Sequence, residues 1–258
     1  MNAILPPVSG HSKWAQIKRA KGANDQKRGQ LFTKLGRELS VAAREGGPNP
    51  DANPRLRMAV DRAREANMPA DTIQRAIQRG VGAGEGASLE EVVYEGYAPG
   101  GAALLIEATT DNRNRTVAEV RAALTRGGGS LGESGSVAWS FESRGVVVAQ
   151  PRGREDPEEL ALKAIDAGAD DFSVDGREVE IFTEPARLGE VRRALEVAGA
   201  EILNAELAMV PKTFIELSNE QTTAVIRLVE RLEDLDDVTR VYTNVHISDE
   251  VLAHAAAT

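Results

Sequence analysis

The residues best equipped for chemistry cluster near the start of the chain. Gly10-His11-Ser12-Lys13-Trp14 opens a run that continues through Lys18, Arg19, Lys21, Lys27, Arg28 and Lys34. Ammonium and guanidinium groups at this density bind phosphates by displacing condensed counterions, which requires charge density more than strict geometry. Spacings of three and four bring Lys18, Lys21 and Arg28 toward one helix face or its continuation. Trp14, three residues before Ile17, reads as a core anchor ahead of a base-stacking ring, and His11 as a surface contact ahead of a metal ligand, since His246 and His254 are remote in sequence.

The other unusual strings are weaker as chemistry. Tyr94-Glu95-Gly96-Tyr97-Ala98-Pro99-Gly100-Gly101 reads as strand, turn, strand; a catalytic tyrosine would need a perturbing partner, and none is evident. In Thr109-Thr110-Asp111-Asn112-Arg113-Asn114-Arg115-Thr116, Thr110, Asp111 and Asn114 suit a capped loop. Arg113 and Arg115, however, put cations at a helix N-terminus, against its dipole. Two readings therefore stand there: a capped loop, and a second anion contact at Arg113 and Arg115. Gly127-Gly128-Gly129-Ser130-Leu131-Gly132 matches G-x-G-x-x-G, but it leaves a helix and enters a strand, the reverse of the dinucleotide fingerprint, and reads as a flexible crossing. The carboxylates of Glu230–Asp237 have no partner that defines acid–base work or a metal cage. No catalytic residue, metal site, cofactor or small-molecule substrate is expected.

The charge distribution supports the basic run. The net charge is −9, yet residues 1–80 hold 15 Lys+Arg against 7 Asp+Glu, and the rest of the chain holds 16 against 33. Such asymmetry points to a polyanion-binding end on an acidic body. Without cysteine there is no disulfide framework, thiolate zinc site or cysteine nucleophile. No run approaches the roughly 18 apolar residues needed to span a bilayer. Met1–Ser9 is too short, and lacks the basic start, for a secretory signal. A cytoplasmic protein with no membrane partner is expected.

The elements that must carry these residues come in two styles. Up to Gly80 the pattern is helical: Leu31, Leu35, Leu39 and Ala42 recur at helical spacing until Gly46-Gly47-Pro48. A second helix begins at Asn53-Pro54, and a third covers about Asp71–Arg79. Beyond the glycine-rich linker Gly80–Gly86, strands alternate with helices. Strand pairs are predicted at Val92–Tyr97 with Ala102–Thr109 and at Ser136–Phe141 with Gly145–Ala149, and a hairpin turns at Asp175-Gly176. The fold class is α+β: an N-terminal helical domain followed by two small α/β sandwich domains, the second inserted into the first. The expected domains are 1–80, 81–133 plus 211–258, and 134–210.

GHSKW, the basic continuation to Phe32-Thr33-Lys34, YEGYAPGG, TDNRNRT and GSVAWSF, in this order, resemble the YebC/PmpR-type family from about Ser9 onward. The resemblance implies a three-domain protein with a helical N-terminal domain and two α/β domains. It further implies DNA binding in transcriptional regulation. Some members, mitochondrial relatives among them, act instead in translation and help ribosomes through proline-rich stretches. The expected partner is accordingly DNA, with ribosomal RNA on the ribosome as the alternative. Met1–Val8 precedes the usual family start and reads as a misplaced start site or a short disordered extension.

Overall fold

The computed structural model describes residues 25–82, 89–248 and 251, with side chains from residue 28 onward. They form a mixed α+β architecture of N-terminal helices followed by two antiparallel four-stranded sheets with helices. Two compact units result, one holding 25–82, 89–138 and 220–242, the other 139–219 and 243–248.

In the first unit, helices α1 (Asp25–Gly46), α2 (Pro54–Glu65) and α3 (Ala70–Val81) share one core. Leu35, Leu39 and Ala42 of α1 meet Leu56, Ala59 and Val60 of α2 and Ile73, Ala76 and Ile77 of α3. Burying each of the larger side chains stabilises the bundle by about 1.5–3 kcal/mol. Leu31, on the same predicted stripe, is exposed, because the shared core begins one turn later at Leu35. Asn53 caps α2 as expected: its Oδ1 accepts the Leu56 N–H at 3.0 Å, while its amide donates to the Ala42 carbonyl at 2.7 Å. Gly80 has a packing reason. A Cβ there would lie 2.1 Å from the Ser40 carbonyl oxygen, so only glycine lets α3 approach α1.

The first sheet has the order β3-β1-β2-β8, built from β1 (Glu90–Tyr97), β2 (Ala103–Thr110), β3 (Ser130–Leu131) and β8 (Val238–Thr243). β1 and β2 pair without a register break from Glu90↔Thr110 to Tyr97↔Ala103. Helix α4 (Arg113–Arg126) follows β2, and α7 (Asn219–Glu233) precedes β8. The glycine-rich run after α4 is a tightly packed helix stop, contrary to the flexible crossing read from its composition. Gly128 has φ +77, Gly128 N–H donates to Thr125 and Gly129 N–H to Leu124, the hydrogen-bond pair of a Schellman cap. A Cβ on Gly129 would sit 2.4 Å from the Tyr97 carbonyl, and one on Gly127 2.6 Å from Leu228.

In the second unit the order is β5-β6-β4-β7, from β4 (Phe141–Gln150), β5 (Asp171–Asp175), β6 (Glu178–Thr183) and β7 (Glu201–Pro211). Helices α5 (Pro157–Asp166) and α6 (Leu188–Val197) bury Leu160, Ala161, Ala164, Leu188, Val191 and Leu195. The Asp175-Gly176 turn joins β5 to β6, with Gly176 at φ +57. Along the chain all four strands lie between β3 and β8 of the first sheet. The strand expected at Ser136–Phe141 does not form. That stretch is a loop with a single turn of 3-10 helix, Ala138–Ser140, and the strand begins at Phe141. Phe214–Leu217 contributes a single bridge, Ile215↔Val245.

Candidate nucleic-acid interface

Of the basic residues singled out by sequence, Lys13, Lys18, Arg19 and Lys21 lie outside the described residues, and Lys27 is described only as backbone in the first turn of α1. Arg28 is exposed one residue further along. Lys34 donates its Nζ to the Glu233 carbonyl at the end of α7, so its charge faces the body of the protein. Arg113 pairs with Glu90 at 2.8 Å, and its own positive form is favoured mainly by that hydrogen bond. Arg115 contacts Asp111 at 2.8 Å and Asp237 at 2.7 Å.

These contacts converge on Asp237, which sequence reasoning passed over as one acid in an acidic run. It sits just before β8 with its side chain buried. Oδ1 accepts from Arg37 Nη1 at 2.6 Å. Oδ2 accepts from Arg115 at 2.7 Å, Thr116 Oγ1 at 2.7 Å and Thr110 Oγ1 at 3.0 Å. Arg37 also donates to the Asp236 carbonyl at 2.8 Å, and the Asp237 carbonyl takes the Thr109 N–H at 2.8 Å. Burial alone would raise the Asp237 pKa, but the donors Arg115, Thr116, Arg37 and Thr110 outweigh it and hold the carboxyl down to about 2. The same contacts push Arg115 further toward its charged form. One carboxylate thus ties α1 to the end of β2, the start of α4 and the approach to β8. The cation at the N-terminus of α4 is accounted for by this anion, and Asn112 supplies the cap, accepting the Arg115 N–H at 3.1 Å.

A second unforeseen carboxylate is Glu95, buried in β1. It accepts backbone N–H groups from Gly135 at 2.5 Å, Val137 at 2.6 Å and Ala138 at 2.7 Å. Burial would raise its pKa; the three amide donors reverse this and lower it. Those amides are therefore spent on a side chain and cannot form a ladder, which is why the predicted strand is a loop. Tyr94–Gly101 and Gly135–Ala138 are two halves of one structural contact.

The outward surface of the helical layer differs from this interior. On α3, Gln74, Arg75, Gln78 and Arg79 are exposed. Elsewhere on the layer, Arg55 is shared by Glu45 and Glu91, and Arg62 meets Glu38 at 2.7 Å. Among the described residues no group of three or more His, Asp or Glu side chains is arranged to hold a metal ion, and no helix is long and apolar enough to cross a membrane.

Comparison with known proteins agrees with this architecture. Residues 12–83 match the pattern described as the TACO1/YebC protein N-terminal domain, and residues 89–245 that of the TACO1/YebC second and third domain. A protein of Roseiflexus castenholzii named a probable transcriptional regulatory protein is 54% identical over 248 residues, 95% of this chain and 97% of the relative. One of Thermomicrobium roseum with the same name is 54% identical over 245 residues, 95% and 98% of the two chains. A solved structure, that of a conserved hypothetical protein of Aquifex aeolicus, is 47% identical and superposes with a TM-score of 0.80 over 88% of this chain and 94% of its own. The matched domains cover most of the chain in the order the motifs predict, and the chain belongs to the TACO1/YebC family.

Proposed function

We propose that the chain is a cytoplasmic, nucleic-acid-binding regulator of gene expression. It grips phosphates through Lys13, Lys18, Arg19, Lys21, Lys27 and Arg28, with Lys34 at the inner border of that surface. The observation that carries the reading is the charge partition: a positive balance confined to residues 1–80 of a chain that is otherwise strongly acidic. Its relatives' name, probable transcriptional regulatory protein, favours DNA as the target. On this reading the protein works by binding, with no cofactor and no reaction of its own, and the acidic remainder keeps other surfaces off the polyanion.

Ribosomal RNA is the second reading. It is favoured by the composition of the basic run, whose lysines and arginines supply charge that suits the phosphates of RNA as well as those of DNA. Polysome sedimentation beside duplex titration at matched salt separates the two. Co-sedimentation with ribosomes, together with only nonspecific and steeply salt-dependent duplex binding, rejects transcription as the role. A Lys13→Glu/Lys18→Glu/Lys21→Glu variant should lose nucleic-acid binding at moderate salt; retention of the parent affinity refutes the assignment of the surface.

A further inference from the structure

Helix α2 ends in a sharply defined turn. Asn67 adopts the left-handed conformation at φ +58, its N–H donates to Arg64, and Met68 N–H reaches back to the Ala63 carbonyl at 2.9 Å. Met68 then drops into the bundle core, and Pro69 fixes the start of α3. The four residues Ala66–Pro69 therefore redirect the chain from one helix to the next while both helices pack on α1. A four-residue turn between two helices, braced by a preceding helix, has the connection length of a helix-turn-helix.

The exposed face of the second helix carries suitable chemistry. Ile73, Ala76 and Ile77 face the core, which leaves Arg75 and Gln78 at the centre of the outward face, flanked by Gln74 and by Arg79, whose guanidinium lies along the edge of α1 beside Gly36. Gln74 and Gln78, like Arg75 and Arg79, are one turn apart, a rise of about 6 Å. Glutamine is suited to the N6/N7 edge of adenine, and arginine to the O6/N7 edge of guanine or to phosphate. Among the described residues neither Arg75 nor Arg79 has a carboxylate partner. Arg75 donates only to the Asp71 carbonyl and the Thr72 hydroxyl, both at 3.2 Å and on its own helix. Asp71 is the single acid on that face, and carboxylates accept from cytosine N4. The platform is rigid: Ser40 Oγ donates to the Ala76 carbonyl at 2.7 Å, and Gly80 lies against the Ser40 backbone.

We propose that α2, the turn and α3 form a helix-turn-helix whose second helix enters the major groove of duplex DNA and presents Gln74, Arg75, Gln78 and Arg79 to it. The inference rests on the nucleic-acid reading above and deepens it by naming the partner. A helix of about 10–12 Å diameter fits the roughly 12 Å major groove of B-form DNA, whereas the deep, narrow groove of A-form RNA excludes it.

The test uses the full chain with two probes, a labelled DNA duplex of mixed sequence and an RNA duplex of the same sequence, titrated across a range of salt. Arg75→Ala/Arg79→Ala is compared with the parent and with Lys13→Glu/Lys18→Glu/Lys21→Glu. Alanine at exposed helical positions favours the helix, so the fold persists, and thermal unfolding verifies it. The expected result is a loss of DNA affinity of about tenfold or more, a salt slope shallower by about 1 for each phosphate contact removed, and unchanged RNA-duplex binding. Parent-like DNA binding by the α3 variant, with the lysine variant impaired, overturns the helix-turn-helix and leaves the proposed function standing. Equal losses on DNA and RNA overturn the groove assignment. A parent that binds neither probe overturns the proposed function itself, and this inference with it.

Discussion

Replacing Asp237 with alanine removes a carboxylate that four side chains share. Its Oδ1 is bonded to Arg37 and its Oδ2 to Arg115, Thr110 and Thr116, at 2.6–3.0 Å. Breaking one partner out of a buried ion pair costs about 3–5 kcal/mol. Here the cost is lower, because Arg115 is 43% and Arg37 21% exposed and both recover water once released. Thr116 keeps acceptors in the Asn112 carbonyl and Thr110 Oγ1, so the orphaned donor is the fully buried Thr110 hydroxyl, worth about 1–3 kcal/mol. The net expectation is a loss of about 2–4 kcal/mol, seen as a fall of roughly 5–12 °C in the melting transition of the unit that contains α1 and the first sheet. Calorimetry reads that transition directly. Asp111→Ala, which removes an exposed partner of Arg115, should move it by no more than about 0.5 kcal/mol. If Asp237→Ala proves as mild as Asp111→Ala, the carboxylate does not fasten these elements together.

Three further expectations use other parts of the molecule. The folded Asp237 carboxyl is held down to about 2 from an ordinary 3.8, so the unfolded chain takes up the proton first. Its contribution, about 1–2 kcal/mol after screening, is complete above about pH 4 and is lost as pH falls toward 2. The stability difference between the parent and Asp237→Asn should narrow over that window, and a constant difference would contradict the linkage. Gly80→Ala sets a methyl against the Ser40 carbonyl and should cost about 2–4 kcal/mol by urea unfolding, whereas Gly153→Ala, with φ +70 but open space, should cost only about 1–2. Glu95→Ala leaves three amides without an acceptor; hydrogen exchange at Val137 and Ala138 should accelerate at least tenfold, and unchanged protection would show that the loop holds itself.

The parts legible in sequence were those decided locally. Asn53-Pro54 announces the start of α2 because cap and first-turn proline act within three residues, and Asp175-Gly176 announces a hairpin because the turn requires its φ. The alternation of strands and helices beyond the glycine-rich stretch was legible as well, and the two sheets with their helices bear it out. Contacts between residues far apart in the chain were not legible. Arg37 and Asp237 are 200 positions apart, and nothing in an acidic run marks the one carboxylate that will be buried. Val137, Trp139 and Phe141 alternate like a strand, but Glu95, some forty residues earlier, captures the amides first. For the candidate interface, the basic run was visible as charge, whereas the outward face of α3 emerges only once the burial of Ile73, Ala76 and Ile77 fixes its orientation.

The charge count that first pointed to a polyanion partner overstates the number of cations available to it. Residues 1–80 contain 15 Lys+Arg. Within the helical layer Arg37, Arg55, Arg57, Arg62 and Arg64 already hold carboxylates, and Lys34 is turned inward to the Glu233 carbonyl. A duplex that engaged every one of the 15 would give a log affinity falling with log salt at a slope near 13, at about 0.9 per phosphate. Restricting the contact to the unpaired α3 arginines, Arg28 and the basic residues before it lowers the expected slope to about 7. Arg37 and Arg62 are the costly ones to recruit, because their partly buried guanidinium groups hold carboxylates at 2.6 and 2.7 Å, whereas the exposed pairs of Arg57 and Arg64, at 3.4 and 3.8 Å, yield to a phosphate at little cost. A measured slope above about 10 would mean that binding breaks those ion pairs and remodels the helical layer. A slope near 7 fits binding that leaves the ion pairs of the helical layer in place.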